Sequence, residues 1–452
     1  MADVAASLTG VAFFLVVLGW IVKTRTYVLF ALLWVVVQMV SRLASSLYID
    51  AAGPLFSDQL LHYIGPGHAS VLLALDYSIY LVVFAIVLYP RPELHPPAVP
   101  GSALLSNLVF RLTLAFVALL YADMLRIGPI PFFAGIERYV YTSAYAGPFH
   151  KLLFRFGDVL ALYLGCFFVL PCREGRRADL RFLYLLLAIF VYAFLAGNRF
   201  SAFFKFGTLF AIPWALIAPP DLKSTIAFAR RFLPLLLSLT LIAAVMVGYA
   251  ILHSYFSVRF EDNEDPLVSL QRRVLVQQAE VWWLTYQRVI EAGQWNFARV
   301  VNLLFVDPIH PATNTSIQYL MYAALGSDAI GILEKGQQFA GGFPEIFHEL
   351  FGGFGGVVAV GAYAAMAALV VRELLAALAK GRFFGVLFAG LVLYAFAITS
   401  WGGMLNYLLG WTFWAKLAGL LLSCALEPDD WVTRGIQGLW TRIRAAHPPA
   451  RA

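Results

Sequence analysis

Long stretches with almost no charge recur along this chain, near 6–22, 27–47, 70–90, 103–123, 158–172, 182–197, 202–218, 233–254, 352–379, 383–402 and 404–424. At about 1.5 Å of rise per residue, such stretches suit a hydrocarbon layer of about 30 Å, and they predict about eleven transmembrane helices. Hydrophobic residues make up 61% of the sequence and charged ones only 13%, against about 25% charged in ordinary soluble chains. Backbone groups facing lipid must satisfy their own hydrogen bonds, and a membrane barrel would instead alternate apolar and polar residues. The expected fold class is therefore an all-α polytopic integral membrane protein.

Basic residues fall on every second connector: Lys23 and Arg25, Arg91, "CREGRRADLR" (172–181), then Lys223 with Arg230 and Arg231, then Lys380 and Arg382, and finally Arg434, Arg442, Arg444 and Arg451 of the tail. The positive-inside bias then predicts a cytoplasmic C-terminus and an N-terminus on the outer side. The net charge of +6 follows from topology and attraction to anionic lipid, with no nucleic acid needed as a partner. The organisation expected is residues 1–254 as eight spans with short loops, 255–351 as one large outer loop subdomain, 352–424 as three further spans, and 425–452 as a basic cytoplasmic tail. The first span lacks the basic start of a secretory signal and reads as a retained helix. The three cysteines (Cys166, Cys172, Cys424) lie in or at the ends of spans, so neither a disulfide framework nor a CxxC metal site is expected.

Within the outer loop, residues 265–295 repeat apolar positions at helical spacing, starting at Asp265–Pro266 and stopping at Gly293. Trp282, Trp283 and Tyr286 suit a helix lying on the membrane surface. Arg259, Arg272, Arg273, Arg288 and Arg299 gather in the same segment; a merely solvated face explains any one of them. Arg272 and Arg273 sit mid-helix, and their planar guanidinium forks suit phosphate oxygens. In "FLAGNRFSAFFKFG" (194–207), Arg199 falls on a tight outer turn with Lys205 further into the next span. A cation inside the bilayer needs a partner or a wet cavity, with interfacial snorkelling as the plain alternative.

In the stretch "GGFPEIFHELFGGFGG" (341–356) Glu345 stands at i, i+3 and i, i+4 spacing to His348 and Glu349, so on a helix it faces the same side as each of them. Carboxylates here complement the helix dipole, which leaves the histidine unexplained. A helical Glu-x-x-His metal site would need a second copy; none exists, and the eight histidines form no cluster, so no metal is expected. A histidine oriented by a carboxylate can instead take a proton from a hydroxyl near neutral pH, as glycosyl or acyl transfer to an alcohol requires.

The order of "GNR" (197–199), a long arginine-rich outer loop, and "GGFPEIFHELFGGFGG" entering a span resembles the Wzy-type O-antigen polymerases, the oligosaccharide repeat-unit polymerases of bacterial surface polysaccharides. The resemblance covers roughly 180–405; the earlier spans match only in being apolar. It implies a GT-C-like glycosyltransferase, related to the O-antigen ligases, in the bacterial inner membrane. Such an enzyme moves a growing glycan from undecaprenyl pyrophosphate to a hydroxyl of the next lipid-linked repeat, with no cofactor or metal, alongside a chain-length regulator and a flippase. By position, Arg199 and either Arg272 or Arg273, with Lys205 nearby, would bind the pyrophosphate, and His348, helped by Glu345 or Glu349, would activate the acceptor. Two adjacent arginines and the flanking glutamates depart from the ligase pattern and leave the choice of base open. Two alternatives stand beside this one. A flippase or transporter of the same glycolipid would not need His348. A GT-C transferase using a polyprenyl monophosphate sugar, or an acyltransferase, would use an acidic pair in the first outer loop, where Asp50 and Asp58 lie.

Overall fold

The computed structural model describes residues 2–94, 102–219, 275–298 and 341–435, apart from positions 58, 59, 61, 137, 199, 296 and 433, with a few isolated positions elsewhere. The predicted span at 233–254 lies outside these described residues. Among them, seven helices are long and apolar enough to cross a membrane, and three shorter ones are comparably apolar. The chain is thus a helical multi-pass membrane protein.

The bundle is built from α1 (Ala2–Thr24), α2 (Thr26–Ala52), α3 (Ala69–Val87), α4 (Ser102–Ile127), α5 (Pro148–Val169), α6 (Leu180–Leu195), α7 (Phe200–Ala211), α8 (Glu280–Thr285), α9 (Glu345–Lys380), α10 (Phe383–Gly402) and α11 (Trp411–Leu426). Helix α1 packs on α2 and α3, α3 on α9, α9 on α10, and α10 on α11; α5 joins α6 and α7, and α7 returns to α2. The only described strands, β1 (Leu55–Ser57) and β2 (His62–Ile64), form an antiparallel hairpin between α2 and α3. They mark one end of the bundle, called the hairpin end below.

Three boundaries differ from the hydropathy reading, each for a local reason. Helix α5 begins at Pro148, ten residues before the apolar window, because proline at the first helical position sets the start; the charged Lys151 and Arg155 that keep these first turns out of the window lie exposed. After α10, Gly403 takes a left-handed cap, and α11 starts only at Trp411. Helix α9 begins at Glu345 but breaks at Gly352, where φ is 74° and ψ −169°. That region is open essentially to glycine alone, so Gly352→Ala should lower stability by roughly 1–3 kcal/mol, read as a lower Tm of the detergent-solubilised protein; an unchanged Tm would show that the break is not needed for folding.

The other end of the bundle is fastened by polar contacts. The Asp179 carboxylate caps α6 by accepting the Arg181 backbone N–H at 3.1 Å. Burial pushes its pKa up, but hydrogen bonds from Arg181 outweigh this and hold it below the usual carboxylate range. Glu427 accepts the N–H groups of Phe384 (2.9 Å) and Gly385 (2.7 Å), capping α10 from the segment after α11. Arg173 pairs with Asp430 through two hydrogen bonds, of 2.8 and 3.3 Å, and both side chains are buried.

Candidate functional site

The stretch 341–351 packs against α2, α3 and the 278–288 segment. Its three ionisable side chains are all buried, and each meets a different element. Glu345 pairs with Arg42, which projects from within α2. Glu349 pairs with Arg288 and accepts from the Thr285 hydroxyl at 3.3 Å. His348 Nε2 lies 2.8 Å from Asp76 Oδ2, contributed by α3. The helical spacing that aligns these residues in sequence therefore does not make the glutamates partners of the histidine; Asp76 is the carboxylate that orients it.

With Asp76 ionised, its oxygen accepts the Nε2–H, which leaves the lone pair on Nδ1. Nδ1 has no hydrogen-bond partner among the described residues. It faces the Cα of Gly356, so close that any Cβ there would collide with the ring. Trp282 meets the imidazole in an edge-to-face pair, at a centroid distance of 5.4 Å and an interplanar angle of 70°. Its own Nε1–H donates to the Ala69 carbonyl at 2.9 Å. The imidazole is thus fixed by a carboxylate, an indole and a glycine.

Around this pair the formal charges nearly cancel. Arg42 and Arg288 face the three carboxylates of Glu345, Glu349 and Asp76, a formal sum of −1. Buried charges are tolerated when paired and hydrogen-bonded, and Arg42 meets that condition in full. It donates to Glu345, to the Phe343 carbonyl, and through Nε to the Gln278 carbonyl at 3.0 Å. Those acceptors lie on both sides of the site, so Arg42 fastens the 341–349 and 275–291 segments to α2. Ser45 adds contacts to the Leu275 and Val276 carbonyls at 2.9 and 3.0 Å. Arg288 is less enclosed, with 16% of its side chain exposed.

The predicted surface helix at 265–295 takes a different form in its described part. A turn at 276–279 leads into the short α8 and then a π-helix at Tyr286–Glu291. Trp282, Trp283 and Tyr286 are buried against the bundle instead of lying at a lipid interface. Amphipathic spacing cannot tell a lipid face from a protein face, and here the apolar side packs on α2, α3 and α9.

Arg199, Arg272, Arg273 and Asp58 lie outside the described residues. Lys205 stands on α7, with its ammonium 5.1 Å from the centroid of Trp401. The Trp401 carbonyl accepts from Gln38 at 3.1 Å, and Gln38 is one helical turn from Arg42 on α2. Asp50 is buried at the hairpin end and accepts from Ser7 (2.7 Å), the Ser70 hydroxyl (2.5 Å) and the Ser70 N–H (3.0 Å); it ties α1, α2 and α3 together. Among the described residues no group of three or more His, Cys, Asp or Glu side chains is arranged to hold a metal ion.

Sequence reasoning passed over Arg42 and Asp76, because each is a lone charge inside a window read for its average hydropathy. The signal that could have found them is the rarity of ionisable residues within spans, which marks a functional site by default.

No curated protein and no solved structure matches the chain. Residues 310–416 match a family of unknown function (DUF6418), a segment that contains Glu345, His348, Glu349, the whole of α9 and α10, and the start of α11.

Proposed function

We propose that this protein is a glycosyltransferase that polymerises polyprenyl-pyrophosphate-linked oligosaccharide repeat units at the outer face of a bacterial inner membrane. The observation that carries the reading is the Asp76–His348 pair: an imidazole held by a buried carboxylate, with its second nitrogen unbonded, among arginine-bearing elements at one end of a membrane bundle. In this reading the 341–356 segment shifts to uncover His348 Nδ1, which Gly356 closes off in the resting structure; Nδ1 then takes the proton of an acceptor sugar hydroxyl, and the oxygen attacks the anomeric carbon of the donor glycan. The bond from that carbon to the pyrophosphate oxygen then breaks, and the lipid pyrophosphate leaves with the electron pair. Charge grows on the leaving group, where preorganised guanidinium groups act most strongly. Arg199, Arg272 and Arg273 remain the candidates for that clamp, with the partly exposed Arg288 added; Arg42 is committed to fastening the site. Lys205 contributes positive charge on α7, beside Trp401. Undecaprenyl pyrophosphate glycan is the substrate, and a chain-length regulator and a flippase are the partners expected of such a system.

The deciding experiment offers the purified protein a synthetic undecaprenyl pyrophosphate glycan with neither nucleotide sugar nor divalent metal. A ladder of polymer is expected, and His348→Ala should yield only single repeats. Absence of any ladder from well-folded wild type would rule the polymerase out.

A second reading has its own support. The Asp76–His348 pair is wholly buried between two arginine–glutamate pairs, an arrangement that proton-coupled carriers use within membranes. A flippase would leave single repeats on the inner leaflet when deleted, whereas loss of a polymerase leaves them displayed outside.

A further inference from the structure

At the end of the bundle opposite the hairpin, a cavity of about 280 Å³ opens between α4, α5, α9 and α10. Its wall is built from apolar side chains such as Leu105, Leu160, Phe167, Leu378, Val386 and Leu387, and its rim from Arg173, Glu174, Arg382 and Asp430. We infer that this cavity holds an acyl chain of an anionic membrane phospholipid, with the lipid phosphate resting on Arg382 at the rim.

The size and lining exclude water as the natural filler. A water molecule needs roughly 10–15 Å³ of such space and two to four polar partners; the cavity is many times larger, and its wall offers none. The Tyr163 hydroxyl beside it is already bonded to the Leu387 carbonyl at 2.7 Å. An unfilled void of this size would forfeit dispersion contacts along its whole lining. The helices around it are those that cross the membrane, so the surrounding hydrocarbon is lipid chain, which matches the wall in polarity.

Charge selects the headgroup. Arg173 is matched by Asp430, Arg176 by Glu174, and Glu427 is held by the α10 amides. Arg382 donates Nε to Asp429 at 2.8 Å and Nη1 to the Cys424 carbonyl at 3.2 Å, leaving Nη2 without a partner among the described residues. Its side chain is 23% exposed. Arg177 and Lys380, on the two connectors that meet here, have no carboxylate partner among the described residues. The charges lining the rim are matched in number, so what it offers a phosphate above the apolar slot is the Nη2 edge of Arg382, with Arg177 and Lys380 adding positive charge on the connectors beside it.

The test uses the full chain, purified in detergent, stripped of lipid and titrated with phosphatidylglycerol under native mass spectrometry. Wild type should retain a single phosphatidylglycerol in preference to phosphatidylcholine. Leu160→Trp, which fills the slot, should lose it, and Arg382→Gln combined with Arg177→Gln should weaken binding about tenfold. Thermal unfolding establishes that each variant is folded. Should Leu160→Trp not fold, a second measurement decides: with Cys172 and Cys424 replaced by serine, an apolar maleimide should label Cys166 in the cavity wall, and phosphatidylglycerol should protect it. Equal retention of lipid by folded Leu160→Trp, labelling of Cys166 that phosphatidylglycerol does not slow, or binding of a polyprenyl phosphate alone would overturn the inference.

Discussion

Under the proposed function, Asp76→Asn should lower repeat-unit transfer by about 10²–10⁴-fold, the range a general base contributes, while the chain stays folded. Asparagine keeps the shape of the side chain, but its amide can donate to His348 Nε2 and drive the ring proton onto Nδ1, the nitrogen that must be free. The wrong tautomer then faces the acceptor, and the loss is in rate rather than in substrate affinity. Glu345→Gln and Glu349→Gln leave the Asp76–His348 hydrogen bond in place, so their effect on rate at equal folded fraction should be far smaller. The three variants separate the carboxylate that orients the base from the two that hold arginines. Polymer ladders from lipid-linked glycan supply the readout, with thermal unfolding as the control for folding. Wild-type turnover by Asp76→Asn would remove His348 from the chemistry.

Arg42→Ala destabilises the protein by about 3–5 kcal/mol, the cost of stripping one partner from a buried ion pair. The removed guanidinium leaves the Glu345 carboxylate buried with no cation, and it also abandons the carbonyls of Phe343 and Gln278. Replacing both partners, as Arg42→Met with Glu345→Met, should recover most of the loss, because no isolated charge remains and methionine fills the space. A double-mutant cycle on unfolding in detergent measures the coupling. A cost for Arg42→Ala below about 1 kcal/mol, the scale of exposed pairs, would mean that water reaches the pair and that the site is more open than its burial indicates.

Much of the architecture was legible in the chain because membrane insertion is a local rule. A window such as 70–90 or 383–402 is apolar enough to span whatever its neighbours do, and each coincides with a helix in the structure. The stretch 341–356 also stood out, since glycines flanking two glutamates and a histidine have no reason to sit at the mouth of an apolar helix unless the charges are used. The partners of those charges were another matter. Asp76 and Arg42 lie some 270 and 300 positions away in sequence, on helices whose periodicity carries no sign of which neighbour they face. The family resemblance offered Glu345 or Glu349 as the helper of His348, yet those two side chains turn toward α2 and toward the 285–288 segment.

The sequence by itself determined the helical membrane class and most of the span positions, because hydrophobicity and helix propensity act over neighbouring residues, and it singled out the segment that carries Glu345, His348 and Glu349. Only the tertiary structure decided that Asp76 holds His348 and that arginines hold the glutamates. Desolvation acts on whatever side chains packing brings together: inside the bundle each charge must find its counter-charge, and the helix that supplies it is chosen by three-dimensional neighbourhood rather than by sequence distance.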